Sequence, residues 1–237
     1  DTAIQGWFAD GKSPGSPDEL HHMAPHGGQA GIQLSIRLSE NDVFELFPNA
    51  GAGWGDTLER VPQLVVADLA QGRVSPEDAT SLYGVVIDDE GALDARATDE
   101  LRQSLRLDRL EHSRPPRKPM AGSVVITPDA THVVEGVAIT TAAEGMAFAC
   151  GRCGQLLANA AETYRYGCRE LDREMTSISE FHTSPQDETG QNLVVRCYLC
   201  PSCGSVLDAN ICRPEDLPFD DVHLVTASEP ADASLSV

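Results

Sequence analysis

The sequence predicts an α+β protein: a small mixed strand/helix N-terminal region followed by a mostly β, zinc-ribbon-like domain. Three observations predict it. Residues up to 112 mix short apolar strands with capped helical stretches. From about Val124 onward, the apolar runs have strand character and no helical period. All seven cysteines fall between Cys150 and Cys212, and the first 149 residues contain none.

The bulk composition narrows the function classes. The chain has 237 residues, 41% hydrophobic and 23% charged, with a mean hydropathy of −0.23. This is an ordinary folded composition, enough for one large domain or two modest ones. Aromatics make up only 5%, so the core must rest on Val, Leu, Ile and Ala. The net charge of −20 repels nucleic-acid phosphates and anionic lipid, which argues against a nucleic-acid partner. No apolar run approaches the ~18–20 residues of a membrane span. Asp1 opens a polar stretch without the basic and apolar regions of a signal peptide. The missing initiator Met points to a trimmed chain or a piece of something larger. An odd cysteine count and local Cys-x-x-Cys crowding favour a metal site in a reducing, cytoplasmic setting over a secreted disulfide framework.

The elements follow in order. Turn-rich sequence with Pro14, Gly15, Pro17 and Pro25 leads to Ile32, Leu34, Ile36 and Leu38, which alternate with polar residues as a half-buried strand does. Val43 to Phe47 reads as a second short strand, and Gly51 to Gly55 as a glycine-rich loop. Pro62 to Ala70 is predicted helical, with Gly72 as its stop. Ser75 caps a second helix, with Pro76 in the first turn and Glu77 and Asp78 at the positive dipole end. Val85 to Ile87 reads as a strand. Asp94 caps a last helix with an apolar stripe of Ala97, Leu101, Leu105, Leu107 and Leu110. Ser113 to Pro119 holds three prolines in five residues, the mark of an extended spacer. The predicted organisation is therefore residues 1–112, a Pro/basic linker at 113–130, a cysteine domain at 131–226 and a frayed tail at 227–237. The strands expected in the cysteine domain and its approach are Val124 to Ile126, Val133 to Thr140, Met146 to Ala149 and Leu193 to Leu199. No internal repeat is visible.

Cys150-Gly-Arg-Cys153-Gly and Cys200-Pro-Ser-Cys203-Gly form two matching knuckles. A two-residue spacer lets both sulfurs of a tight turn face one ion, and the glycine after the second cysteine relieves crowding. Four soft thiolates suit a tetrahedral Zn²⁺, and a closed four-sulfur shell has no open position, so its role is structural. The alternative is a redox dithiol or two unrelated thiol pairs. Cys197, three residues before Cys200, is a substitute ligand. Cys168 and Cys212 read as buried or inert thiols.

Weaker signals remain. His21, His22 and His26 are close enough to hold a metal, yet lie in a proline-bounded loop without a matching carboxylate. The Gly51–Gly55 loop lacks the Lys and Ser/Thr of a phosphate loop. Asp18-Glu19 and Asp88-Asp89-Glu90 read as solvated loops. No Ser/His/Asp or Cys/His order singles out a catalytic residue.

The run Phe44-Glu-Leu-Phe-Pro-Asn-Ala-Gly-Ala-Gly-Trp-Gly-Asp56, then Leu58-Glu59-Arg60, Gly72-Arg-Val-Ser75 and Tyr83-Gly-Val-Val-Ile87, resembles the C-terminal end of hydantoinase B-type proteins. That family includes the B half of 5-oxoprolinases and N-methylhydantoinases and a large subunit of acetone and acetophenone carboxylases. Val61 stands where Asp is usual, and Thr57 where Pro is common. The resemblance covers about residues 6–110, a terminal fraction of subunits several hundred residues long, so it implies that most of the usual catalytic body is not in this sequence. The layout from Cys150 to about Val222 resembles the small zinc-bearing subunit of acetone and acetophenone carboxylases.

Together these resemblances imply an accessory, non-catalytic zinc subunit of a biotin-independent, ATP-dependent ketone carboxylase-like complex. Its partners would be larger hydantoinase A/B-type subunits, with ATP and Mg²⁺ or Mn²⁺ on those partners. The alternatives are a subunit of an ATP-dependent hydantoinase/oxoprolinase-type amidohydrolase, and a stand-alone zinc-ribbon interaction protein. Replacing Cys150 or Cys203 with Ser is expected to release zinc and unfold the C-terminal half while sparing residues 1–112.

Overall fold

The computed structural model describes residues 55–175 and 190–220, together with Gly6, Asp10 and Gln186. The strands expected at 32–38 and 43–47, the histidine cluster, most of the glycine loop and the tail at 227–237 lie outside the described residues. The chain divides into two compact units, residues 1–52 and 53–237. The second unit is α+β, with short helices followed by two antiparallel sheets.

The helical part opens on Asp56, whose carboxylate accepts from Leu58 N at 3.0 Å and starts a single 3-10 turn, Thr57–Glu59. Helix α1 (Pro62–Ala70) follows, with Pro in its first turn and Val65 fully buried. Helix α2 (Pro76–Ser81) is capped as expected, Ser75 Oγ accepting from Asp78 N at 3.0 Å. Val65, Ala79 and Val85 form a small core. Val85 to Ile87 is not a strand: only one bridge forms, Ile87 to Leu93. Val86 N bonds to Thr98 Oγ1 on the next helix, so no partner strand is needed. Asp88 Oδ1 closes the intervening loop by accepting from Glu90 N and Ala92 N.

Helix α3 (Ala95–His112) begins at Asp94, which accepts from Ala97 N at 2.9 Å. Its buried face is not the expected leucine stripe. Thr98, Arg102 and Arg106 are buried, while Leu107 is 59% exposed. The arginines can be buried because backbone carbonyls receive them: Arg102 donates to Tyr83 O and Arg60 O, and Arg106 to Leu58 O. A buried guanidinium is tolerated only when its donors are met in this way.

One sheet has the order β1-β2-β3-β4: β1 (His132–Val134), β2 (Val137–Ala142), β3 (Gly145–Cys150) and β4 (Leu156–Asn159). The other has the order β5-β6-β7: β5 (Arg169–Glu174), β6 (Val194–Leu199) and β7 (Val206–Cys212). The expected run Val133 to Thr140 breaks at Glu135-Gly136. There the backbone passes so close to Leu207 that a Cβ on Gly136 would lie 2.8 Å from its side chain. Val124 to Ile126 forms no strand. Val124 N bonds to Gly154 O, and Val125 is left 90% exposed.

The two sheets repeat one pattern at an offset of 50 residues. Ala149 pairs with Leu156 after a register shift, and Leu199 pairs with Val206 after the same shift. Phe148 pairs with Ala158, and Tyr198 with Asp208. Both sheets contribute to one core, in which Phe148, Leu157, Tyr164, Tyr198 and Leu207 cluster. Phe148 and Tyr164 meet edge to face with centroids 5.9 Å apart, and burying each such side chain contributes about 1.5–3 kcal/mol.

The segment expected as a spacer at 113–130 falls inside the second unit. Arg114 exchanges backbone bonds with Glu170 on β5, and Lys118 N donates to Tyr166 O. The segment's charges explain why it is bound. Arg114 and Arg117 both pair with Glu170, and Lys118 lies 2.6 Å from Glu162.

Candidate metal centre

Each knuckle joins two antiparallel strands, β3 to β4 and β6 to β7. In the first, Gly154 N donates to Cys150 O and Cys150 N donates to Gln155 O, both at 2.8 Å. In the second, Gly204 N donates to Cys200 O at 3.0 Å and Cys200 N to Ser205 O at 2.9 Å. The bonds are equivalent, so the turns present their sulfurs in the same way. Gly154 and Gly204 both adopt left-handed backbone, at φ +73° and +70°, which side chains rarely adopt.

The turns bring Cys150, Cys153, Cys200 and Cys203 together. Their four Sγ atoms lie within 4.8 Å of one another. Cys150 and Cys203 are 3.8 Å apart and Cys153 and Cys200 3.5 Å apart. A tetrahedron with bonds of ~2.3 Å has edges of about 3.8 Å, so the spacing matches a site that could hold one metal ion. All seven cysteines are free thiols. Among the described residues this is the only such cluster of His, Cys, Asp or Glu. Cys197, Cys168 and Cys212 are buried and stand outside it. Cys168 donates to Tyr164 O, and burial pushes its thiol pKa up.

Without an ion the packed thiols polarise one another. Hydrogen bonding with Cys150 lowers Cys153 to about 6 and draws Cys203 down as well, while Cys150 and Cys200 are pushed up by the sulfurs beside them. A divalent ion displaces the remaining protons when thiolates bind it. Cys150 and Cys200 are buried, Cys153 is exposed, and Cys203 lines a cavity of about 380 Å³ between α3 and the knuckles. The site therefore has a route from solvent.

Sequence reasoning missed the groups beside the sulfurs. Asp56 accepts two bonds from Arg109, at 2.8 and 3.1 Å, and one from Val206 N at 3.0 Å. Glu59 meets Arg106, Arg152 and Ser205. The signal for them is the Gly55-Asp56 and Leu58-Glu59-Arg60 pattern, which carries the family resemblance and says nothing by itself about a metal.

Two curated relatives share part of this sequence. The B-type subunit of a D-/L-hydantoinase from Pseudomonas sp. (strain NS671) is 32% identical over 120 aligned residues, covering 41% of this chain and 20% of that protein. The acetone carboxylase alpha subunit of Xanthobacter autotrophicus (strain ATCC BAA-1158 / Py2) is 35% identical over 95 residues, covering 38% of this chain and 12% of that protein. The chain thus spans a fifth or less of the length of either relative. No protein-family model matches it. Among the described residues, no helix is long and apolar enough to cross a membrane.

Proposed function

We propose that this chain is an accessory zinc-containing component of a multi-subunit, ATP-dependent and biotin-independent carboxylase-like assembly. Its role there is to brace the structure and bridge subunits, in the cytoplasm. One observation carries the reading: two equivalent knuckles converge four thiols at tetrahedral spacing. Cys150, Cys153, Cys200 and Cys203 fit zinc because all four donors are soft sulfur. When bound, the ion would cross-link the two hairpins and leave no open position for substrate. The similarity to a carboxylase alpha subunit supports the assembly type. The similarity to a hydantoinase B-type protein supports a second reading, the same bracing role in an ATP-dependent amidohydrolase. In both readings the larger partners carry ATP and its Mg²⁺ or Mn²⁺.

Elemental analysis of the purified chain tests the metal, with about one zinc per chain expected. Affinity purification from native cells tests the assembly: large ATP-binding subunits should accompany the chain. Isotopically labelled bicarbonate then separates the readings. Label enters the product of a carboxylase and not that of an amidohydrolase. A zinc-loaded chain that purifies alone would instead favour a stand-alone interaction protein.

A further inference from the structure

Glu59 Oε1 meets three groups from three different elements. Arg106 Nη2 of α3 lies at 2.8 Å, Arg152 Nε of the first knuckle at 3.0 Å, and Ser205 Oγ just past the second knuckle at 3.2 Å. Ser205 Oγ is in turn 3.4 Å from Cys203 Sγ. A continuous path therefore runs from a cysteine sulfur to the turn that precedes α1. Three residues upstream, Asp56 makes a parallel link, holding Arg109 of α3 and Val206 N of β7.

The charges around this path are unusual for a chain of net −20. Arg102, Arg106 and Arg152 all line the cavity that Cys203 faces. The Arg106 side chain is 10% exposed, and among the described residues its Nε has no hydrogen-bond partner. A buried orphan donor of this kind is costly, unless negative charge nearby offsets it. Four thiolates around a divalent ion carry a net charge of −2, and Glu59 adds another −1. The cations are placed where that charge would sit.

We propose that the Asp56–Arg60 segment, with Arg106, Arg152 and Ser205, forms the outer shell of the metal centre, and that metal occupancy clamps this segment and α3 onto the knuckles. The inference rests on the reading of the four cysteines as a metal site. On loading, Cys203 gives up its proton to solvent. The single hydroxyl hydrogen of Ser205 then serves either the thiolate or Glu59, and Arg106 and Arg152 hold Glu59 in either case. These are positioning residues. They touch no substrate, and they fix the sulfur ligands and balance their charge.

The test uses the full chain loaded with zinc, or with cobalt(II) as a thiolate-sensitive optical probe. Chelator stripping is timed for the wild type, Glu59→Gln, Ser205→Ala, Arg152→Gln and Arg152→Lys. Arg152 is 44% exposed, so its variants spare the core. Arg152→Gln and Glu59→Gln should strip about ten- to a hundredfold faster than wild type, and Arg152→Lys, which keeps the charge, should stay within about threefold. Hydrogen exchange is read in parallel. Metal removal should speed exchange at Leu58, Glu59 and Arg60 together with Gly154 and Gly204.

If the loaded variants strip within twofold of wild type, or if residues 58–60 stay protected after the knuckles open, the outer-shell inference fails while the metal reading stands. If wild type takes up neither zinc nor cobalt, both fail.

Discussion

The two halves of the cysteine region share a backbone plan and differ in what stabilises it. In the first half, β3 and β4 present Ala147, Phe148, Ala149 and Leu157, all fully buried. In the second, the corresponding strands carry buried charge. Arg196 is fully buried and grips Asp172 at 2.7 and 3.1 Å, while Glu170 receives Arg114 and Arg117. The counterpart of Arg196 in the first half, 50 residues earlier, is Met146, which is 47% exposed. The flanks differ too. Gly154 lies under the Val124 carbonyl, whereas Gly204 lies under the Arg106 carbonyl of α3. Equivalent turns can thus be held by apolar packing or by a satisfied ion network, provided the sulfurs arrive at the same spacing.

The most disruptive way to test this equivalence is Cys150→Ser against Cys200→Ser. Both should reduce the metal content from about one ion per chain toward none and lower the melting temperature alike, because the ion's binding energy, on the order of 10 kcal/mol, is also folding energy. A large difference between them would show that one knuckle folds without the other. Next comes Arg196→Met against Met146→Ala. Removing Arg196 leaves Asp172 and Glu170 uncompensated and should cost about 3–5 kcal/mol in denaturant unfolding, whereas Met146→Ala should cost under about 1 kcal/mol, as for other surface positions.

Gly154→Ala and Gly204→Ala should each lose about 1–2 kcal/mol from left-handed backbone alone. Gly154→Ala should lose more, since its new Cβ would sit 1.7 Å from Val124 O, against 2.6 Å from Arg106 O at Gly204. Acid titration separates the halves more gently. Burial would raise the pKa of Glu170 and Asp172, but hydrogen bonds from Arg117 and Arg114 to the first, and from Arg196 and Arg114 to the second, hold both below the ordinary carboxylate range. A lowered folded pKa contributes stability above the unfolded value, and that stability is lost as pH falls through the folded value. The second half should therefore loosen first below about pH 4, and Glu170→Gln should flatten that slope. Smallest of all, Arg96→Ala removes an exposed pair with Glu100 and should shift stability by no more than about 0.5 kcal/mol.

Much of the fold is legible in the residues themselves. Pro62 to Ala70, the Ser75 cap and the Asp94 cap are local signals, and the helices appear where those signals put them. The two Cys-x-x-Cys-Gly turns are equally plain, because a ligand pair and its glycine are neighbours in sequence. What stays hidden depends on partners far along the chain. The buried face of α3 is one case, because Arg102 and Arg106 look solvent-facing until Tyr83, Arg60 and Leu58 offer carbonyls. Strands β4, β5 and β7 are another. Asp172, Arg173 and Asp208 break the apolar pattern of β5 and β7, and the partners of Asp172 and Asp208 come together only in three dimensions, while β4 is only four residues long. The 50-residue repeat is masked in a similar way. Phe148 and Tyr198, or Ala158 and Asp208, share a place in the register and little chemistry.

The hairpin of β5 and β6 has a further practical consequence. Arg169 pairs with Leu199 beside the second knuckle, and Glu174 pairs with Val194 at the opposite tip. The connection between them, residues 175–193, departs from the pole remote from the sulfurs, and doubling such a connection costs only about 0.6 kcal/mol in closure entropy. A reporter peptide or fluorophore spliced into that stretch would ride on the protein without reaching the thiol turns, giving a handle for following assembly in living cells.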